Sequence, residues 1–278
     1  MRAFSEFQNM SIEFWAFVKF ISEKLGYTKR GKGIVRNYSE KQIKGLCKKE
    51  NINIPDEMLE PVINYLNMRA DILNNFVESM LMNAEQARTE CCPLLQLHDR
   101  EDFLCKIQQN KQKGDKKQIS YFTAAVNILA EKTIREALPN VSGLGFDDDP
   151  KGLTRMHNDN GALLGVSSRR FDGAYPSIKN PKMVWEIKEY YYATTFGSRV
   201  ADGVYETQLD GYEFKELYER TGEKIYHVLF VDAYQTWWTK GKSYLCRIID
   251  ALNMGLVDEV IVGREVFDRW PELLKSML

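Results

Sequence analysis

Long apolar runs are missing from this sequence. No stretch approaches the roughly 20 apolar residues that a membrane-spanning helix needs, and the opening residues MRAFSEFQNM lack the apolar segment of a secretion signal. A cytoplasmic protein without a membrane partner is therefore expected. Histidine is scarce, with three in 278 residues, and none has a Ser or Cys at a diagnostic spacing, so nucleophile-and-histidine chemistry has no basis here. The five cysteines form no even framework and fit free thiols in a reducing compartment. Cys91, Cys92, His98 and Cys105 lie close together, but adjacent cysteines make awkward co-ligands and no CxxC knuckle is present. They read as structural thiols. Gly241-Lys242-Ser243 ends like a phosphate-binding loop, but Thr236 stands where that loop requires glycine. Repeats and low-complexity tracts are also absent, and a net charge of −1 excludes a global basic field.

What is present is ordinary in bulk and uneven in detail. A 44% hydrophobic and 28% charged composition suits one large domain or two modest ones. Residues 24 to 49 hold nine Lys or Arg against the single Glu40, an excess of eight positive charges. That segment is either a solvated face or a surface that meets phosphate. Within it, Lys29, Arg30, Lys32 and Arg36 are the candidate phosphate contacts.

The pattern changes along the chain. Residues 11 to 25 have helical apolar spacing, Ser39 with Gln42 makes a capping-box start, and 57 to 86 continue as helix with a possible break at Pro61. The polar stretch 108 to 118 reads as a linker, which divides a helical region, 1–118, from a second unit, 119–278. In the second unit, 121 to 138 is helical and stops at Pro139. Residues 143 to 152 read as loop, with Asp147, Asp148 and Asp149 as a solvated turn. NDNG at 158 to 161 suits a hairpin turn. Strands are expected at ALLGV, RRFDGAY and MVWEIKEYYY, then a helix over 203 to 220, a strand near 224 to 234, a helix near 243 to 255 and a strand at 258 to 263. This is an α/β chain with a mixed central sheet flanked by helices.

VWEIKEYYY carries charges through the middle of a strand. Residues two apart share a strand face, so Glu186 and Lys188 project one way while Trp185, Ile187 and Glu189 project the other. The SIKNP loop suits a hairpin that would bring Asp172 of RRFDGAY beside Glu186. Two carboxylates that close repel unless a hard cation lies between them. The alternative is an exposed Glu186–Lys188 ion pair on an edge strand, with Asp172 in a turn.

Phe171-Asp172, thirteen intervening residues and Glu186-Ile187-Lys188, set in a helix-strand-strand-strand-helix-strand order over residues 121 to 262, resemble the PD-(D/E)xK nuclease superfamily. Phe171 replaces the name-giving proline. The resemblance implies an αβββαβ core and Mg²⁺-dependent hydrolysis of double-stranded DNA, with Asp172 and Glu186 as metal ligands and Lys188 positioning the attacking hydroxide. It further implies an acid from the preceding helix, Glu131 with Glu136 as competitor, and a QxxxY pair, Gln208 and Tyr212, on the following helix. A type II restriction enzyme, expected as a homodimer on palindromic sites, is the leading reading. A structure-specific repair or recombination nuclease and a non-catalytic DNA-binding regulator are the alternatives.

Overall fold

The computed structural model describes residues 1–29, 31–110, 118–192 and 197–278. Helix α1 (Ile12–Leu25) starts where the Ser11 hydroxyl accepts the Phe14 N–H and buries Phe14, Trp15, Val18 and Ile21 along one stripe. A short hairpin of β1 (Thr28–Lys29) and β2 (Ile34–Val35) follows. Helix α2 (Glu40–Glu50) opens on the Ser39/Gln42 capping box and closes at Asn51 in the left-handed conformation. Helix α3 (Asp56–Ile72) does not break at Pro61. It runs on through a π-helical turn, Leu73–Val77, into α4 (Glu78–Met80). These elements enclose an aromatic core in which Phe7 and Trp15 each meet the Tyr65 ring edge-on at 5.0 Å.

Helix α5 (Ala84–Arg100) has its own capping box, Asn83 with Gln86, and packs on α6 (Tyr121–Ala137). Helix α6 ends at Ala137, and Leu138 leaves the helical conformation as expected of a residue preceding proline. The NDNG turn joins β3 (Arg155–His157) and β4 (Leu163–Val166). They form a two-stranded sheet of their own, so ALLGV is not a strand of the central sheet. The reason is local: the turn pairs β4 back onto β3, and Gly165 lies against Leu217 of a later helix.

The central sheet has four strands, β5 (Gly173–Tyr175), β6 (Met183–Glu189), β7 (Tyr226–Asp232) and β8 (Glu259–Val262), in that spatial order. The β5–β6 pair is antiparallel and the other two pairs are parallel. The crossovers are α7 (Ser198–Thr221) and α8 (Lys242–Asn253), and α9 (Glu265–Lys275) follows β8. Alternation divides the strands between two cores: Trp185, Val228, Phe230 and Ile261 face α5, α6 and α9, whereas Leu229, Val231, Val260 and Val262 face α8 and the end of α3. Helix α9 was not anticipated; its Trp270 wedges against Trp185 at 5.2 Å and Phe230 at 5.0 Å. Asp147 and Asp148 do not form a solvated turn. Asp147 Oδ2 accepts the Ile178 N–H at 2.7 Å and buried Asp148 accepts the Lys106 N–H at 2.6 Å. Among the described residues no helix is long and apolar enough to cross a membrane.

The β5–β6 register depends on one glycine. Gly173 pairs with Trp185, whose indole lies over it so closely that a Cβ on Gly173 would stand 2.0 Å from Trp185 Cε2. Gly173→Ala is expected to destabilise the protein by about 1–3 kcal/mol through overpacking. Gly45→Ala, on an exposed α2 position with open space around it, is expected to stabilise by about 0.5–1 kcal/mol. Urea unfolding of the two variants checks the contrast.

Candidate active site

Strand β6 lies between β5 and β7, so Glu186 and Lys188 are not an edge-strand pair. Both are buried, at 7% and 4% exposure. The antiparallel register sets Asp172, just before β5, against them: the Asp172 N–H donates to Trp185 O at 3.0 Å, and Asp172 Oδ2 accepts the Ile187 N–H at 2.7 Å. Lys188 Nζ donates to Glu186 Oε1 at 2.7 Å. The expected convergence of Asp172, Glu186 and Lys188 is present, but beneath α7 rather than in an open cleft. Gly203 of α7 permits the approach, since a Cβ there would meet Lys188 Cε at 3.3 Å.

Three further residues complete the cluster. Glu206 of α7 accepts from Lys188 Nζ at 2.9 Å, and its side chain is 42% exposed, which opens the cluster to solvent on that side. Arg169 lies between Glu186 and Asp210, with its Nη2 3.1 Å from Glu186 Oε2 and 2.8 Å from Asp210 Oδ2. Its Nε also donates to both Asp210 oxygens at 3.1 Å. The contact with Glu186 is an ion pair without hydrogen-bond alignment, and Glu186 Oε2 is a buried oxygen with no hydrogen bond among the described residues. Four carboxylates face two cations. The formal excess is two negative charges.

The electrostatics follow from this imbalance. Burial and then the Glu186 charge push the Asp172 carboxyl up to about 7, against the Ile187 N–H, Lys188 and Arg169. Burial also works against ionised Glu186, but Lys188 and Arg169 together outweigh it and hold Glu186 below its ordinary value. Burial, opposed by Arg169, raises Asp210 to about 6. Behind the cluster, burial pushes His227 down to about 4, so it stays neutral and supplies no charge at pH 7.

Glu131 does not join the site. Helix α6 covers the Trp185 and Ile187 face of β6, opposite Glu186, and the Glu131 carboxylate is spent on the Leu104 and Cys105 N–H groups at 2.8 and 2.7 Å. Glu136 is exposed and pairs with Lys132 at 3.8 Å. Gln208 is half-buried on α7 and Tyr212 exposed; the positions that turn toward the cluster are Glu206 and Asp210, two residues earlier in each case. The missed residues had a legible signal, an acidic i, i+4 pair on a helix that also carries glycine. Arg169 had none.

In the basic segment, Lys29 and Lys32 are exposed and make no ion pair among the described residues. Arg36 is half-buried and donates to the Leu25 carbonyl. Arg30 lies outside the described residues. Asn67 and Asn74, one heptad apart on the α3 helix and its π-helical extension, each exchange two hydrogen bonds with the strap that carries Arg36, at the backbones of Tyr38 and Val35.

The whole charged cluster falls within one family match. The chain belongs to the family described as a domain of unknown function (DUF7687), matched over residues 82–277. Residues 1–76 match a second family, also described as a domain of unknown function (DUF7690), so the basic hairpin and the cluster lie in different matches. No curated protein and no solved structure matches the chain.

Among the described residues no group of three or more His, Cys, Asp or Glu side chains forms a metal cage. Two carboxylates and one unbonded oxygen are instead what Mg²⁺ accepts, since it keeps waters and takes one or two carboxylates plus phosphate. The residues fit such an ion.

Because the folded-state pKa of Asp172 lies above that of the unfolded chain, the native state keeps a proton that the unfolded chain has lost. Stability is therefore expected to fall as pH rises from about 4 to about 7. Asp172→Asn should match wild type near pH 4 and exceed it near pH 8 by on the order of 1–3 kcal/mol, as measured by urea unfolding in EDTA. A variant less stable than wild type at pH 8 would remove the proposed repulsion.

Proposed function

We propose that this chain is a metal-dependent DNA endonuclease of the PD-(D/E)xK kind, acting as a type II site-specific enzyme. The observation that carries the reading is the meeting of Asp172, Glu186 and Lys188 on one face of the β5–β6 pair. The element order supports it further: α6, then antiparallel β5–β6, then the α7 crossover to parallel β7. The separate β3–β4 hairpin is a departure from three consecutive strands in one sheet.

In this reading Asp172 and Glu186 would hold Mg²⁺ through their carboxylates. Mg²⁺ bound there supplies a lowered water pKa and offsets charge at phosphorus. Lys188, already fixed by Glu186 at 2.7 Å, directs its remaining protons toward the attacking oxygen and the phosphate. Glu206, on the exposed side, is the partner that Lys188 gives up when substrate enters. Lys29 and Lys32 grip the DNA backbone. A homodimer would present two such sites to a palindrome.

Asp172→Ala and Glu186→Ala should each lower cleavage by at least about a hundredfold while the far-UV circular dichroism is unchanged. Lys188→Ala should be as inactive but still bind the metal. Plasmid and phage DNA incubated with Mg²⁺, followed by sequencing of the ends, tests the activity and gives the site; no cleavage by wild type under any divalent cation would sink the proposal.

The hairpin is tested separately, with Ca²⁺ in place of Mg²⁺ so that binding is read without cutting. Lys29→Ala with Lys32→Ala should reduce the slope of log affinity against log salt by about 1.8, near 0.9 per lost phosphate contact. The loss should be similar on every duplex, because phosphate contacts carry no base information. An unchanged slope would assign this hairpin to solvent.

A further inference from the structure

The strongest unexplained feature of the site is a cation already in it. Arg169 reaches the cluster from the turn between β4 and β5, and its side chain is 21% exposed. The three aligned hydrogen bonds it makes at this site all go to Asp210, which is fully buried on α7. The Phe171 ring lies beneath the guanidinium, its centroid 5.4 Å from Arg169 Cζ. Toward Glu186 it makes only the unaligned 3.1 Å contact, and Glu186 Oε2 has no hydrogen bond although it is buried. Burying a carboxylate oxygen without a hydrogen bond is costly. An arginine does not lose its charge at any ordinary pH, so a divalent cation that binds Glu186 Oε2 must displace this contact.

We infer that Arg169 is a resident counter-cation that occupies the Glu186 side of the candidate site and competes with a divalent cation for Glu186 Oε2, while Asp210 anchors it on α7. This rests on the metal-dependent reading above. The divalent cation takes Glu186, and Arg169 keeps its bonds to Asp210 while its Nη2 loses the contact with Glu186. Arg169 thus sets how tightly the DNA-free protein holds metal. It is a positioning residue: its guanidinium acts on the metal through Glu186.

The test is Mn²⁺ binding to the full chain without DNA, followed by electron paramagnetic resonance of the free ion and by calorimetry. Mn²⁺ shares the oxygen-ligand preference of Mg²⁺. Arg169→Gln should bind at least about tenfold tighter than wild type, as removal of a neighbouring unit charge implies. Arg169→Lys, which keeps the charge, should stay close to wild type. Arg169→Gln with Asp210→Asn restores the formal charge of the wild-type cluster while leaving Glu186 unoccupied, so it should also bind tighter than wild type. This double variant also removes the uncompensated buried Asp210, which keeps the test valid if Arg169→Gln alone is unfolded by circular dichroism.

Equal or weaker binding by Arg169→Gln would overturn the inference. So would a gain for Arg169→Lys as large as that for Arg169→Gln, or a double variant no tighter than wild type, which would assign the effect to net charge. If wild type binds Mn²⁺, and Glu186→Gln abolishes that binding while Arg169→Gln fails to strengthen it, this inference falls and the metal site stands. Undetectable binding by wild type and all variants would overturn both.

Discussion

A carboxylate and an ammonium two residues apart on an interior strand are the constraint around which this fold is arranged. Taking two such charges out of water costs several kcal/mol each on an order-of-magnitude scale, and their mutual attraction returns that only with good geometry and further hydrogen bonds. Glu186 and Lys188 meet at 2.7 Å, but neither is satisfied by the other alone. Glu206 takes a second proton of Lys188, and Arg169 stands against the second oxygen of Glu186. Helix α7 is therefore both a crossover between parallel strands and the carrier of the counter-charges. It needs Gly203 to come close enough.

The opposite face of the same strand shows the other use of the period-two alternation. Trp185 buries itself among Phe146, Trp270 and Phe230, and its indole presses on Gly173. That contact holds the β5–β6 register, and a slip of one residue would turn Glu186 into the apolar core and Trp185 toward α7. The apolar face thus keeps Asp172 opposite Glu186. Packing on one side of the sheet and charge on the other are two consequences of a single register.

The amino-terminal helices are joined to this sheet by buried polar contacts. Arg69 is fully buried and donates to both oxygens of Asp250 at 2.9 Å and to Ser22, while the Tyr65 hydroxyl donates to Asp250 at 2.6 Å. One ion pair therefore fastens α1, α3 and α8 together. Just past the C-terminal end of the same helical run, the Met82 N–H donates to Asp232 at 2.8 Å, at the end of β7. The basic hairpin is held at a fixed place beside these helices by the paired asparagine clamps of Asn67 and Asn74.

The sequence by itself determined the elements whose signals are local. The capping box at Ser39, the stop before Pro139, the Asn-Gly hairpin and the alternation through VWEIKEY all depend on residues within a few positions of one another. The pairing of Asp172 with Glu186 and Lys188 was legible for the same reason, because a short hairpin loop and a period of two bring them together. Pro61 misled, since the helix around it gives up one hydrogen bond and keeps its packing. Tertiary structure decided what depends on which layer covers which face. Helix α6 lies on the Trp185 side of the sheet, which removes Glu131 from the site. Helix α7 lies on the Glu186 side, which brings in Glu206 and Asp210 rather than Gln208 and Tyr212. Arg169 joined the cluster for a reason no local pattern carries: a buried group with an excess of negative charge draws a cation from whatever segment the fold brings within reach.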